Sequence, residues 1–180
     1  MKRIFLIVSV LIVIAIAGFF GFRKYTKSFS PEAVAESTAN GVSVKVIYSR
    51  PNKKGRLIFG REQDNALLPY GKVWRTGANE ATLVELSKDV YLAGKAVKAG
   101  TYSLYSVPGQ SSWKIILNSE VGQWGTEYND GKDVLNVEVP IRIRPSVQEL
   151  FLIYFEEIPN GTNMVLSWDQ TEALVPFTSK

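Results

Sequence analysis

The chain predicts an all-β fold, an antiparallel sandwich or jelly-roll-like barrel of about eight or nine strands, preceded by one N-terminal transmembrane helix. Three observations carry the β prediction. Short apolar runs with a period of two recur from Gly41 onward. Turn signals such as Asn40-Gly41, Ala99-Gly100, Pro108-Gly109, Asp130-Gly131 and Asn160-Gly161 punctuate them. No long amphipathic helical pattern interrupts the series.

At the N-terminus, Ile4 to Phe22 is a charge-free run of 19 residues, IFLIVSVLIVIAIAGFFGF. As a helix it would extend about 28 Å, close to the hydrocarbon thickness of a bilayer. The run passes into Phe22-Arg23-Lys24-Tyr25 rather than a small-x-small cleavage site, so residues 1–27 read as an uncleaved signal-anchor. Lys2 and Arg3 on one side nearly balance Arg23, Lys24 and Lys27 on the other. The expectation is a single-pass protein with its C-terminal domain periplasmic or extracellular. Residues 28–40, SFSPEAVAESTAN, form a polar connector. Ser30 as N-cap, Pro31 at the first helical position and Glu32 in the first turn suggest a short helix or a flexible linker.

Residues 41–180 make the β domain. VSVKVIYS places Val42, Val44, Val46 and Tyr48 on one face. Short strands follow at Thr82–Leu86, Val90–Leu92, Thr101–Val107 and Trp113–Asn118. LNVEVPIRIR puts Leu135, Val137, Val139, Ile141 and Ile143 on one side and Asn136, Glu138, Arg142 and Arg144 on the other. Pro140 within it argues for an edge or a bulge. LFLIYF, Leu150 to Phe155, reads as a central strand buried on both faces. MVLSW sets Met164, Leu166 and Trp168 together.

Composition narrows the function. The formal charge of +4 is a property of the N-terminus, because five of the 21 basic residues and none of the 17 acidic ones precede residue 28. The β domain is therefore nearly neutral, without a basic stripe, and nucleic acid is not an expected partner. With no Cys and no His, thiol chemistry, imidazole-ligated metals and Ser-His-Asp hydrolysis are excluded. No cofactor or metal is expected; Asn129, Asp130 and Asp133 in YNDGKD read as a turn rather than a metal loop.

Two segments carry candidate chemistry. RPNKKGRLIFGR holds Arg50, Lys53, Lys54, Arg56 and Arg61, and is either an anion clamp centred on Arg56 or a solvated hairpin tip. YGKVWRTGANEAT, Tyr70 to Thr82, mixes glycines suited to positive φ with Lys72, Trp74, Arg75, Asn79 and Glu80. That mixture suits a polar small molecule or glycan, or else a shaped connector. A carboxylate pair for glycoside hydrolysis could draw on Glu62, Glu80, Glu127 or Asp130, but no spacing selects one. Trp113, Trp124 and Trp168 read as core rather than a sugar platform.

YSRPNKKGRLIFG, PYGKVWRTGANEAT, AGTYSLYSVPG and SSWKIILN together resemble the bacterial family known as domain of unknown function 2911, common in Bacteroidetes. The blocks are strong from Gly41 to Asn118 and weaker through the C-terminal strands. The specific carriers are Tyr70-Gly71-Lys72, Trp74 to Glu80 and Gly100-Thr101-Tyr102. The resemblance implies an exported domain whose signature is the Tyr70–Thr82 block; it transfers no activity. The expected function is a binding module for a polar or anionic small molecule or glycan, using Arg56, Tyr70, Lys72, Trp74, Arg75, Asn79 and Glu80. In that scheme Arg56 and Arg75 hold an anionic or carbonyl group, Trp74 stacks, and Asn79 and Glu80 fix hydroxyls or amines. The alternatives are an envelope hydrolase using Glu80 as general acid or base, and a structural envelope protein without a ligand.

Overall fold

A computed structural model describes residues 2–180, with side chains except at positions 2–6, 8, 9, 20, 23, 24 and 26. Helix α1 covers Lys2–Ser28. The longest run of α1 with every side chain described is 10–19. Among the described residues no helix is long and apolar enough to cross a membrane, so the expected transmembrane span receives no support here.

Eleven strands follow, all but two of them in one antiparallel sheet. They are β1 (Glu32–Ser37), β2 (Val44–Ser49), β3 (Phe59–Gly60), β4 (Leu68–Pro69), β5 (Thr82–Leu86), β6 (Val90–Leu92), β7 (Lys95–Val97), β8 (Gly100–Val107), β9 (Ser112–Asn118), β10 (Asp133–Ile158) and β11 (Gly161–Ser179). The nine-stranded sheet has the order β1-β2-β5-β8-β9-β10-β11-β6-β7, while β3 and β4 form a small parallel pair.

β1 replaces the expected connector or helix. Its residues alternate exposed and half-buried, and it pairs along its whole length with β2, from Glu32↔Ser49 to Ser37↔Val44. The helix-start signal of Ser30-Pro31 is local. A neighbouring strand with free backbone groups overrides it, and Ala33 and Ala35 pack against the core.

β10 organises the molecule. Its first half pairs with β9 from Asp133 to Pro140, and from Ile141 it pairs with β11 instead. Pro140 thus marks the place where the strand leaves one half of the sheet for the other. Past it the alternation expected from LNVEVPIRIR fails. Leu135, Val137 and Val139 are buried, but Ile143 is 67% exposed beside a register shift between Ile143 and Gln148. The expected two-sided burial of Leu150–Phe155 is also corrected. Phe151 and Ile153 face the core, while Leu152 and Tyr154 are half-buried on the other face.

The bend brings the two halves of the sheet together as a sandwich-like body. One core cluster contains Val44 and Val46 of β2, Ile115 and Leu117 of β9, Ile153 of β10, Met164 and Leu166 of β11, and Leu92 of β6. Val42, Val44, Val46 and Tyr48 are all buried, as their alternation requires. At the β10–β11 turn, Asn160 takes φ +62. Gly161 lies so close to the Phe177 carbonyl that a Cβ has no room. Asn40 clips the N-terminal segment to this turn, donating to the carbonyls of Ile158 and Gly161 at 2.9 and 3.2 Å.

Candidate functional site

The segment after β4 runs beside β8 before β5 begins. Trp74 pairs with Ser106 through two backbone hydrogen bonds, which fixes the Trp74 side chain towards the core. There it is 5% exposed, stacked on Trp168 at 5.8 Å and edge-on to Phe59, Trp113 and Phe151. Its Nε1 donates to the Gly77 carbonyl at 3.1 Å. The expectation is a Trp74 face open for stacking; the ring is nearly buried, stacked on Trp168, and reaches the cavity as part of its lining.

The next residues hold unusual backbone. Thr76 has φ +51, Gly77 +158 and Asn79 +61. A β-branched residue at positive φ persists only where its surroundings fix it. Here Thr76 Oγ1 donates to Ser106 Oγ at 3.0 Å, and Thr82 Oγ1 donates to the Thr76 carbonyl at 2.8 Å. A Cβ on Gly77 would come within 3.0 Å of both the Ser49 carbonyl and Thr82 Oγ1. The glycine serves close approach to β2. Asn79 is buried, and its Nδ2 reaches the Ser30 carbonyl and Ser49 Oγ, both at 3.4 Å. It joins the loop to the chain ahead of β1 and lies outside the cavity lining described below.

Glu80 sits elsewhere. Its carboxylate pairs with Lys27 of α1 at 2.9 Å, in a separate depression shared with Glu32 and Tyr48. Lys72 lies 3.5 Å from Glu62 with both side chains well exposed. Tyr70 packs partly buried against the core.

A cavity of about 490 Å³ lies between the residue 50–56 loop and the residue 67–78 segment. Of the seven expected site residues, it brings together Arg56, Trp74 and Arg75 and leaves out Tyr70, Lys72, Asn79 and Glu80. Trp74 and Trp168 contribute its indole floor, and Phe29, Leu67 and Val73 its exposed apolar wall. Lys54 and Arg56 bring charge to its lining, and Arg75 touches it while its side chain runs over Gly125; among the described residues no carboxylate lines it.

The loop that carries the cations is built from within. Lys53 pairs with Asp169 and also donates to the Arg56 carbonyl at 2.8 Å. Arg50 Nε donates to the Phe151 carbonyl at 3.0 Å, and Asn52 bridges Leu150. The segment is therefore pinned to β10 and β11, in place of a free hairpin tip. Arg56 Nε donates to the Lys53 carbonyl at 2.9 Å, and its Nη2 to the Asn52 carbonyl. Those bonds hold the exposed guanidinium at the mouth. Lys54 stands over the Phe29 ring, 5.2 Å from its centroid.

Arg75 differs from these two. Its aliphatic stem lies across Gly125, which has no room for a Cβ, and its Nε is buried with no hydrogen-bond partner among the described residues. Burial lowers its pKa, opposed by the nearby Tyr105 hydroxyl, yet a guanidinium stays charged at neutral pH. Arg56 and Arg75 thus share a cavity without forming the two-armed clamp expected of them.

Three contributors escaped the sequence reading. Lys54 stood among five cations with nothing to distinguish it, and Phe29 and Trp168 lie far from the signature in sequence. Alternation of Met164, Leu166 and Trp168 predicts the burial of Trp168, but not which loop covers it.

A second polar cluster lies between β10 and β11. Glu172, 3% exposed, takes Arg142 Nε at 2.6 Å, Arg144 Nη1 at 2.8 Å and the Tyr154 hydroxyl at 2.9 Å. Arg142 also holds Glu156 at 2.6 Å. Two arginines face two glutamates, and the charges cancel. In YNDGKD, Asp133 accepts the Tyr128 hydroxyl at 2.6 Å and Asn118 Nδ2 at 2.9 Å, and Asn129 Oδ1 caps Gly131 N at 3.1 Å. Those groups shape a turn.

A family described as a protein of unknown function, DUF2911, matches residues 30–177. No curated protein and no solved structure matches the chain.

Proposed function

We propose, for a chain that belongs to the DUF2911 family of proteins of unknown function, that it is a membrane-anchored extracytoplasmic binding module for a small anionic molecule. The observation that carries this reading is the cavity lining: Lys54 and Arg56 at its mouth, with no carboxylate among the described residues, above an indole floor. A water-accessible concavity of this size, apolar in its depth and cationic at its mouth, favours a ligand with a carboxylate or phosphate group. A neutral glycan would bring no negative charge to Lys54 and Arg56. Glu80, tied to Lys27 and outside the cavity lining, adds nothing to a hydrolytic reading. The anchor rests on the 19-residue charge-free run of the sequence and on the exposure of the apolar side chains described in α1, among them Leu11, Val13 and Phe22. The extracytoplasmic placement is part of the same proposal.

The test is a thermal-shift series on the full chain in neutral detergent with phosphate, short carboxylates and uronic acids. A ligand at about a hundred times its Kd stabilises by about 2.7 kcal/mol, which is several degrees in Tm for a domain of this size. The shift should disappear in Lys54→Ala/Arg56→Ala, whose side chains carry no core packing. A shift that survives in the double variant, or the absence of any shift with anions, overturns the assignment.

A further inference from the structure

The cavity opens beside the end of α1. Phe29 and Ser30, directly after the helix, form part of its wall. The described apolar side chains of α1 are uncovered from Ile7 to Phe22, and Tyr25 and Phe29 continue the series at 62% and 50% exposure. Tyr25 and Phe29 contact edge-to-face at 5.0 Å. The uncovered apolar track of the helix therefore leads to the cavity mouth. There it meets Leu67 and Val73, two large apolar side chains of the cavity wall that are also exposed. Leu57, exposed as well, is joined to Leu67 by a backbone hydrogen bond of 2.9 Å. Apolar groups exposed at a rim that also carries Lys54 and Arg56 make little sense for a ligand that is only polar. They match an amphiphile with an anionic head.

We infer that the cavity takes an anionic membrane lipid, its headgroup at Lys54 and Arg56 and its acyl chain along Phe29, Leu67 and Val73. The inference deepens the anion-binding reading above and rests on it, and it also uses the anchor. Charge complementarity selects the lipid class, because each basic side chain near a bilayer favours anionic over zwitterionic headgroups. Position selects the source, because an anchored α1 sets the cavity mouth at the bilayer surface.

The full chain is reconstituted into phosphatidylcholine nanodiscs containing a minor fraction of brominated lipid. Bromine quenches indole fluorescence at short range, and Trp74 and Trp168 line the cavity. Brominated phosphatidylglycerol is expected to quench more than brominated phosphatidylcholine at equal mole fraction. Lys54→Glu/Arg56→Glu should remove the difference, with apparent affinity falling at least about tenfold. Val73→Asn, which removes apolar wall without adding charge, should weaken quenching by the brominated lipid. Equal quenching by the two lipids, or quenching indifferent to the charge reversal, overturns the lipid inference. If a phosphate shift sensitive to Lys54 and Arg56 remains, the anion-binding reading stands without it. Failure of the chain to enter nanodiscs overturns the lipid inference and the anchor together. Loss of both the quenching difference and every anion shift overturns both readings of the cavity.

Discussion

At the scale of single residues, the fold depends on polar atoms placed to complete someone else's backbone. The Tyr48 hydroxyl donates to the Ile153 carbonyl at 3.3 Å and accepts from the Ile153 amide at 2.9 Å, in the buried core. It supplies β10 with the partner that a further strand would have given. Burial raises the Tyr48 pKa, so the hydroxyl stays neutral and can do both. Tyr48→Phe leaves both groups of Ile153 unpaired and is expected to cost about 1–3 kcal/mol, read from urea unfolding with an unchanged m-value. Trp74 belongs to the same scale. Buried among four aromatic residues, it is a core residue that also floors a cavity. Trp74→Ala should cost about 3–5 kcal/mol. A loss under about 1 kcal/mol would mean that the ring is not packed as described. Sequence composition made Trp74 attractive as a stacking platform. What it could not disclose is that Trp74 pairs with Ser106, and that pairing decides which way the side chain points.

At the scale of elements, β10 and β11 set the architecture, and the Glu172 cluster secures their junction. Burial alone would raise the Glu172 pKa, but hydrogen bonds from Arg142, Tyr154 and Arg144 outweigh it and hold the carboxyl below its ordinary value. A depressed folded pKa contributes stability that is complete above the unfolded value of about 4.3 and is lost as pH falls through the folded value. Glu172→Gln should therefore cost about 2–3 kcal/mol at neutral pH, with a smaller difference from wild type at about pH 3. Thermal unfolding at both pH values checks this. A constant difference would remove the cluster from the acid response. Asp89, brought down to about 2 chiefly by its hydrogen bond from Lys98, keeps a separate acid dependence in the variant. Strand alternation up to Val139 was legible in the sequence, and Pro140 signalled an irregularity. The change of partner from β9 to β11 was not, since period-two patterning encodes faces and not neighbours.

At the scale of the whole molecule, the cavity is assembled from distant parts of the chain. The residue 50–56 loop brings the cations, pinned by Asp169 of β11. The 67–78 segment brings one wall, and the end of α1 another. With the 19-residue apolar run as an anchor, alkaline carbonate should leave the full chain in the membrane fraction, and Ile12→Arg should release a share of it. Recovery of the wild-type chain in the supernatant would sink the anchor. Because the chain has no Cys, a single Ser87→Cys gives a unique label. A membrane-impermeant maleimide should modify it in intact cells, and labelling only after lysis would reverse the topology.

By itself the sequence determined the β class, four short strands to within a residue, the core face of β2 and the family signature, because alternation, turn chemistry and motif are local or linear properties. It also excluded imidazole and thiol chemistry by composition. Only the tertiary structure decided that residues 32–37 form an edge strand, that the signature block splits between core, cavity and a separate depression, and that Lys54, Phe29 and Trp168 share a site. Those outcomes depend on which distant backbone a segment meets, and pairing between segments far apart in sequence leaves no period in the sequence.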